Sequence, residues 1–427
     1  MTAPSHAATP VAPQERVVLL DVLRGFALWG VCLANLVPWL AGYSGLPKPA
    51  KMALPTWPVD RVVDAFLSAF VHGRFIMIFS FLFGLGFSVQ LIRAEARGAD
   101  GTRLFARRIA AMFALGVVHA YLVWAGDITH IYAALAIPLL LVRRWPVQRL
   151  LAVGVALLLF QPIVHGIAIA VAPKVTDGAL SPEATFAALQ ELRSTTLPRL
   201  YGGTSYAAIL QGNRAVHDAM LRPWMSLGWM PELFGLFLLG LATGRLGLVA
   251  RADGHRRMWR LTFGWSLAVG LAGYLPILVV ALLQLQTKVP QDVRATIGVL
   301  RTIGQPAMSL AYVCAIVLLF QRPAWRGRLL ALAPVGRMAY TNYLSQSVIG
   351  IAIFYGVGLG LYGKVGPALL VVLSVAIIAA QSVASRWWLR RFRFGPAEWV
   401  WRSLTYGRLQ PMRLRGDERV GTEPVVA

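Results

Sequence analysis

The chain has 427 residues, 57% hydrophobic and only 14% charged, and its mean hydropathy is +0.62. A soluble domain carries roughly a quarter charged residues, so this chain has too few to cover a water-facing surface. A formal charge of +23 would suggest nucleic acid in a soluble protein. Here the basic residues sit in short links between apolar runs, with no soluble fold to present them, so nucleic acid is excluded as a partner.

Residues 1–15 are polar and are read as a disordered cytoplasmic N-terminus. They lack the basic start of a secretory signal, so the first apolar run is expected to be retained. Apolar runs follow at about 18–40, 62–91, 104–124, 128–142, 150–172, 227–249, 261–283, 297–320, 336–358 and 367–389. Runs of about twenty residues match a hydrocarbon core about 30 Å thick. The second run is long enough to include an interfacial stretch, and the short fourth run contains Pro138. Cys32 and Cys314 both lie inside apolar runs, which leaves no disulfide framework and no metal-ligand spacing.

Arginines alternate from link to link. They are dense at Arg93–Arg108, Arg143–Arg149, Arg245–Arg260 and Arg322–Arg337, and nine lie between Arg386 and Arg419. The intervening links, such as Gly126-Asp127 and the segment around Lys364, are poor in positive charge. The positive-inside rule then predicts an all-α, polytopic transmembrane helical bundle of about ten helices, with both termini cytoplasmic, in a bacterial inner membrane. Its parts are a five-helix half over 16–172, an outer loop or lid over 173–226, a second five-helix half over 227–407, and a cytoplasmic tail over 408–427. Within the loop, Ser181-Pro182-Glu183 has the composition of a helix start, and 184–193 reads as a surface helix. Tyr201, Tyr206, Trp224 and Trp229 favour a folded cap.

A charge at a helix centre costs on the order of 3 kcal/mol, so polar residues in or beside the spans are the informative ones. Asp21 and Arg24 are three apart and share a helix face. They are read either as an ion pair that locks packing or as an arginine presented to a phosphate or carboxylate. Asn35 lies about three turns beyond Arg24, on nearly the same face. His72 and Arg74 are expected near the outer end of the second helix. Asp127 and His130, three apart in the link between the third and fourth runs, could form a carboxylate-oriented general base. The alternative is a capping aspartate beside an ordinary interfacial histidine. His119 precedes them by about two turns. Glu232 is either a helix-start carboxylate or the partner of an arginine across the bundle, while Asn342 and Gln346 share one face of the ninth run.

Several separated motifs then carry a resemblance. Leu20-Asp21-Val22-Leu23-Arg24-Gly25 with Asn35, Phe79-Ser80-Phe81-Leu82-Phe83-Gly84, and Gly126-Asp127-Ile128 with Tyr132 resemble the N-terminal half of the YeiB-like membrane proteins. Gly336-Arg337-Met338-Ala339-Tyr340-Thr341-Asn342-Tyr343 and Phe394-Gly395-Pro396-Ala397-Glu398-Trp399 resemble the C-terminal half. The opening Leu-Asp-x-x-Arg-Gly is also similar to that of transmembrane acyltransferases of the heparan glucosaminide N-acetyltransferase and bacterial O-acyltransferase types. That similarity implies transfer of an acyl group from cytosolic acyl-CoA, such as acetyl-CoA, to an acceptor on the far side of the membrane. Two features depart from those enzymes. Asn35 stands about where the O-acyltransferases have a histidine, and residues 41–61 contain none.

The expected catalytic pair is therefore His130 with Asp127, proposed on chemistry alone. Asp21, Arg24, Asn35, His72, Arg74, Asn342 and Gln346 are the expected substrate- or donor-binding residues. No permanently bound cofactor and no metal are expected. The partners are the lipid bilayer and a small-molecule substrate, with a homodimer left open. The alternative function is a transporter or exporter of a small anionic metabolite, since intramembrane ionisable residues mark substrate paths as readily as active sites.

Overall fold

A computed structural model of the chain describes residues 17–96, 101–171, 188–220, 223–283, 285 and 289–414. The expectations for residues 1–15, for Ser181-Pro182-Glu183 and for the end of the tail lie outside the described residues. The described residues are mostly helical, and among them extended pairing is limited to one isolated bridge, Phe392 with Arg413.

The N-terminal half contains α1 (Val18–Asn35), α2 (Trp57–Phe70), α3 (Arg74–Ala96), α4 (Gly101–Val118), α5 (Thr129–Leu141) and α6 (Val147–Val171). The segment between the halves supplies α7 (Tyr206–Met220). The C-terminal half contains α8 (Pro223–Arg245), α9 (Arg256–Leu282), α10 (Gln291–Phe320), α11 (Ala339–Phe354), α12 (Pro367–Leu389) and α13 (Pro396–Tyr406). Six helical stretches among the described residues are long and apolar enough to cross a membrane, and Thr129–Leu141 and Val147–Ile163 are shorter apolar helices. Large apolar side chains face outward, with Trp265 74% and Val383 69% exposed. That is the surface of a bundle whose solvent is lipid rather than water.

Glycines bring the helices together. A Cβ at Gly84 of α3 would collide with the carbonyl of Phe237 on α8, and one at Gly240 of α8 with the carbonyl of Phe81. Close backbone approach of this kind maximises dispersion contact where lipid offers no hydrophobic drive between helices. The Asp21–Gly25 motif of the first half and the Gly336 motif of the second meet in the same way. A Cβ at Gly336 would strike the Asp21 carbonyl, and one at Gly25 the Leu332 carbonyl.

The second apolar run is a broken helix. Gly73 has φ +85°, a left-handed conformation that a side chain disfavours, and it separates α2 from α3. Tyr312 donates to the Phe70 carbonyl at 2.8 Å and Ser309 to the Arg74 carbonyl at 3.1 Å, so the break sits beside the middle of α10. Arg74 closes it. Its guanidinium donates to the carbonyls of His72 and Ala69, which the end of α2 leaves without helical partners.

Candidate functional site

A cavity of about 490 Å³ runs through the bundle beside α1. It is lined at one end by Arg24 and at the other by Trp39, a separation of about 20 Å at the helical rise.

The first end gathers Arg24, Arg108, Arg337 and Arg402 from α1, α4, the short helix Ala333–Arg337 and α13. Arg24 donates to Asp21 at 3.0 Å, the pairing expected from the sequence. Its guanidinium lies against Gly86, 3.2 Å from where a Cβ would stand, so a small residue on α3 leaves it room. Arg108 stacks over the Trp401 ring at 3.9 Å, and the Trp401 indole donates to the Arg108 carbonyl at 3.0 Å. The like charges of Arg402 and Arg24 act on Arg108. Glu398 is a carboxylate in the same wall, and it is committed to structure. It accepts from the Tyr340 and Thr341 amides at 2.7 and 3.2 Å and from the Thr341 hydroxyl at 2.5 Å, capping the start of α11. Burial raises its carboxyl above the ordinary value despite those bonds. The end as a whole therefore carries an excess of positive charge.

Along the middle, the walls are apolar and aromatic, from Leu28, Val31, Phe79, Phe83 and Tyr132. Tyr132 shares a 2.7 Å hydrogen bond with Ser80 and donates to the Ile76 carbonyl, which holds α5 against α3. Gly126, Ile128 and Thr129 from the link between α4 and α5 also line this stretch.

Directly behind that link is Asp127, whose side chain is wholly buried. Its Oδ1 accepts from His130 Nδ1 at 2.9 Å, as the spacing predicted, and its Oδ2 accepts from His119 Nδ1 at 2.8 Å. Thr129 donates to both oxygens at 2.9 Å, and the His130 amide adds 3.1 Å to Oδ1. Burial alone would raise the Asp127 carboxyl, but the bonds from His119 and His130 outweigh it and hold it down at about 2. His119 reaches the carboxylate because the end of α4 widens into a π-helical turn, His119–Val123. Helix α7 packs on that turn. His217 meets the Ala120 carbonyl at 3.3 Å and stacks on Tyr121, and its ring lies 5.4 Å from that of His130.

The expected site residues fall into three places. Arg24 and Asn35 line the cavity, with Asp21 behind Arg24. Asp127, His130, His72 and Arg74 stand one residue behind its wall, which at those points is Thr129 and Gly73. Asn342 and Gln346 face another way. Asn342 donates to the Val335 carbonyl at 3.2 Å and to Ser385 at 3.0 Å, and Gln346 donates to Gln381 at 2.9 Å, so both join α11 to α12. Glu232 is fully buried, and among the described residues neither of its carboxylate oxygens has a hydrogen-bond partner. Sequence reasoning did not single out Arg108, Arg337 or Arg402 as site residues, although Arg337 stands in the motif Gly336-Arg337-Met338 that carries the family resemblance.

Residues 243–408 match the family described as "Protein of unknown function (DUF418)". The chain is 32% identical to the uncharacterized protein YxaH of Bacillus subtilis over 94% of its own length and 97% of the relative's. It is 31% identical to the uncharacterized protein YeiB of Escherichia coli over 92% and 96%. It is also 30% identical to an uncharacterized 39.9 kDa protein in the amylase 3' region of Bacillus acidopullulyticus, over 95% and 98%. No solved structure matches the chain. Likeness over nearly the full length, through both halves and the loop between them, means that the chain belongs to the YeiB-like DUF418 family of membrane proteins of unknown function.

Proposed function

We propose that this protein is a membrane acyltransferase that takes its acyl group from acyl-CoA at the cytoplasmic, arginine-rich end of the cavity. One observation carries the reading. The same cavity has four arginines at one end and, in its wall, the link that holds Asp127 and His130. Arginine N–H groups suit the donor's phosphates. The apolar middle suits its uncharged arm and acyl chain.

With Nδ1 donating to Asp127, His130 keeps its lone pair on Nε2, the arrangement of an oriented general base. In the transfer step, an acceptor hydroxyl oxygen attacks the thioester carbonyl carbon. The new C–O bond forms, the C–S bond breaks, and the hydroxyl proton passes to His130 Nε2 and then to the departing CoA thiolate. Asp127 steadies the imidazolium in between. His130 stands one residue behind the wall, so the step requires Thr129 and its neighbours to give way when the donor binds.

The test is binding and slow hydrolysis of acetyl-CoA by the detergent-purified chain. Binding that survives His130→Ala while hydrolysis is lost is the expected result, and failure to bind any acyl-CoA overturns the proposal. The broken helix at Gly73 favours a second reading, export of a small anion, because discontinuous spans build substrate sites in transporters. Proteoliposomes that move an organic anion without acyl-CoA turnover would decide for it.

A further inference from the structure

The far end of the cavity has basic side chains behind its wall that the acyl-donor site does not use. It is lined by Asn35, Trp39, Gly73 and Trp229. The guanidinium of Arg193 lies 4.1 Å from the centre of the Trp39 ring. His72 adjoins Gly73, and the charges of Arg74, Arg301 and Arg193 all act on it. Among the described residues, three buried nitrogens here have no hydrogen-bond partner: His72 Nε2, Arg74 Nε and Arg193 Nε. Among the described residues, none of these three side chains forms an ion pair with a carboxylate. Cations inside a membrane bundle are costly unless they are paired, solvated or face a substrate path. Unmet N–H donors of arginine and histidine beside a cavity are the groups that bind oxyanions.

We infer that this end is a second anion site, which takes the phosphate or carboxylate of the acyl acceptor. The acceptor class is then a sugar or polyol that carries one oxyanion and offers a neighbouring hydroxyl for acylation. The inference rests on the acyltransferase reading for the acceptor's role, although the site itself does not. The donor's own phosphates are not the ligand here, because Trp39, in the π-helical turn Leu36–Leu40 that continues α1, lies about 20 Å from Arg24 along the helix axis.

The experiment is calorimetric titration of the full chain in detergent with glycerol 1-phosphate, glucuronate and glycerol, each with and without saturating CoA. An oxyanion is expected to bind and glycerol is not; binding by only one of the two supports the site and names its anion. Arg193→Gln should weaken that binding about tenfold or more, Arg193→Lys should restore part of it, and His72→Gln should weaken it independently. Arg214→Gln, on the exposed face of α7, should leave it unchanged. Equal binding of glycerol, or full affinity in both Arg193→Gln and His72→Gln, overturns the inference. Loss of CoA binding with anion binding intact would remove the acyltransferase reading alone. The reverse result would remove only the second site.

Discussion

Asn213 accepts a hydrogen bond from the amide of Ala125 at 3.2 Å, across 88 residues of chain. The same carboxamide accepts from the Tyr201 hydroxyl at 2.9 Å and donates to the Tyr121 carbonyl at 3.2 Å. A wholly buried side chain from α7 thus satisfies backbone groups that the π-helical turn at His119–Val123 leaves open. Asn213→Ala should cost about 1–3 kcal/mol, because it strands a buried donor and acceptor. The readout is the melting temperature in detergent, and an unchanged value would show that α7 does not clamp the link between α4 and α5.

The Asp127 carboxyl sits at about 2, below its ordinary 3.8. A depressed carboxylate contributes stability above the unfolded value and loses it as pH falls through the folded one. The gap corresponds to about 2 kcal/mol. Thermal stability should therefore hold from neutral pH to about pH 4 and decline toward pH 2. Asp127→Asn should be less stable at neutral pH and flatter across that window. A wild-type curve with no decline between pH 4 and pH 2 would refute the assignment.

Gly336→Ala should force α1 away from the Ala333–Arg337 helix, because its Cβ meets the Asp21 carbonyl. Overpacking of this kind costs about 1–3 kcal/mol, sometimes more. Displacing Asp21 also displaces Arg24, so acyl-CoA affinity should fall together with stability. Gly327→Ala is the matched control. Nothing lies within 4 Å of its added Cβ, and the helix there should tolerate or welcome alanine.

Arg24→Gln and Arg108→Gln should each weaken acyl-CoA binding about tenfold or more if these guanidiniums hold the donor's phosphates. The wild-type affinity should also fall as salt rises, since part of the attraction at the open end is screened. A salt-independent affinity, equal in both variants, would place the donor elsewhere.

The helices themselves were legible in the sequence. Apolar length alone predicts α1, α4, α10 and α12, because hydrocarbon demands about twenty apolar residues whatever their neighbours. Local spacing also predicted the pairs Asp21–Arg24 and Asp127–His130, since residues three apart, on a helical turn or across a helix start, meet without help from the rest of the fold. The break at Gly73 was not legible, because a glycine in an apolar run reads as a packing residue until its φ is known. Only the tertiary structure decided that His119 shares Asp127 from across the link, that Asn342 and Gln346 turn toward α12 rather than the cavity, and that four arginines from distant segments converge at one end. Each of these depends on which face a helix presents to which neighbour. In a membrane bundle that choice is made by close packing at residues such as Gly25, Gly84 and Gly336, and the hydrophobic pattern along the chain is nearly the same on every side.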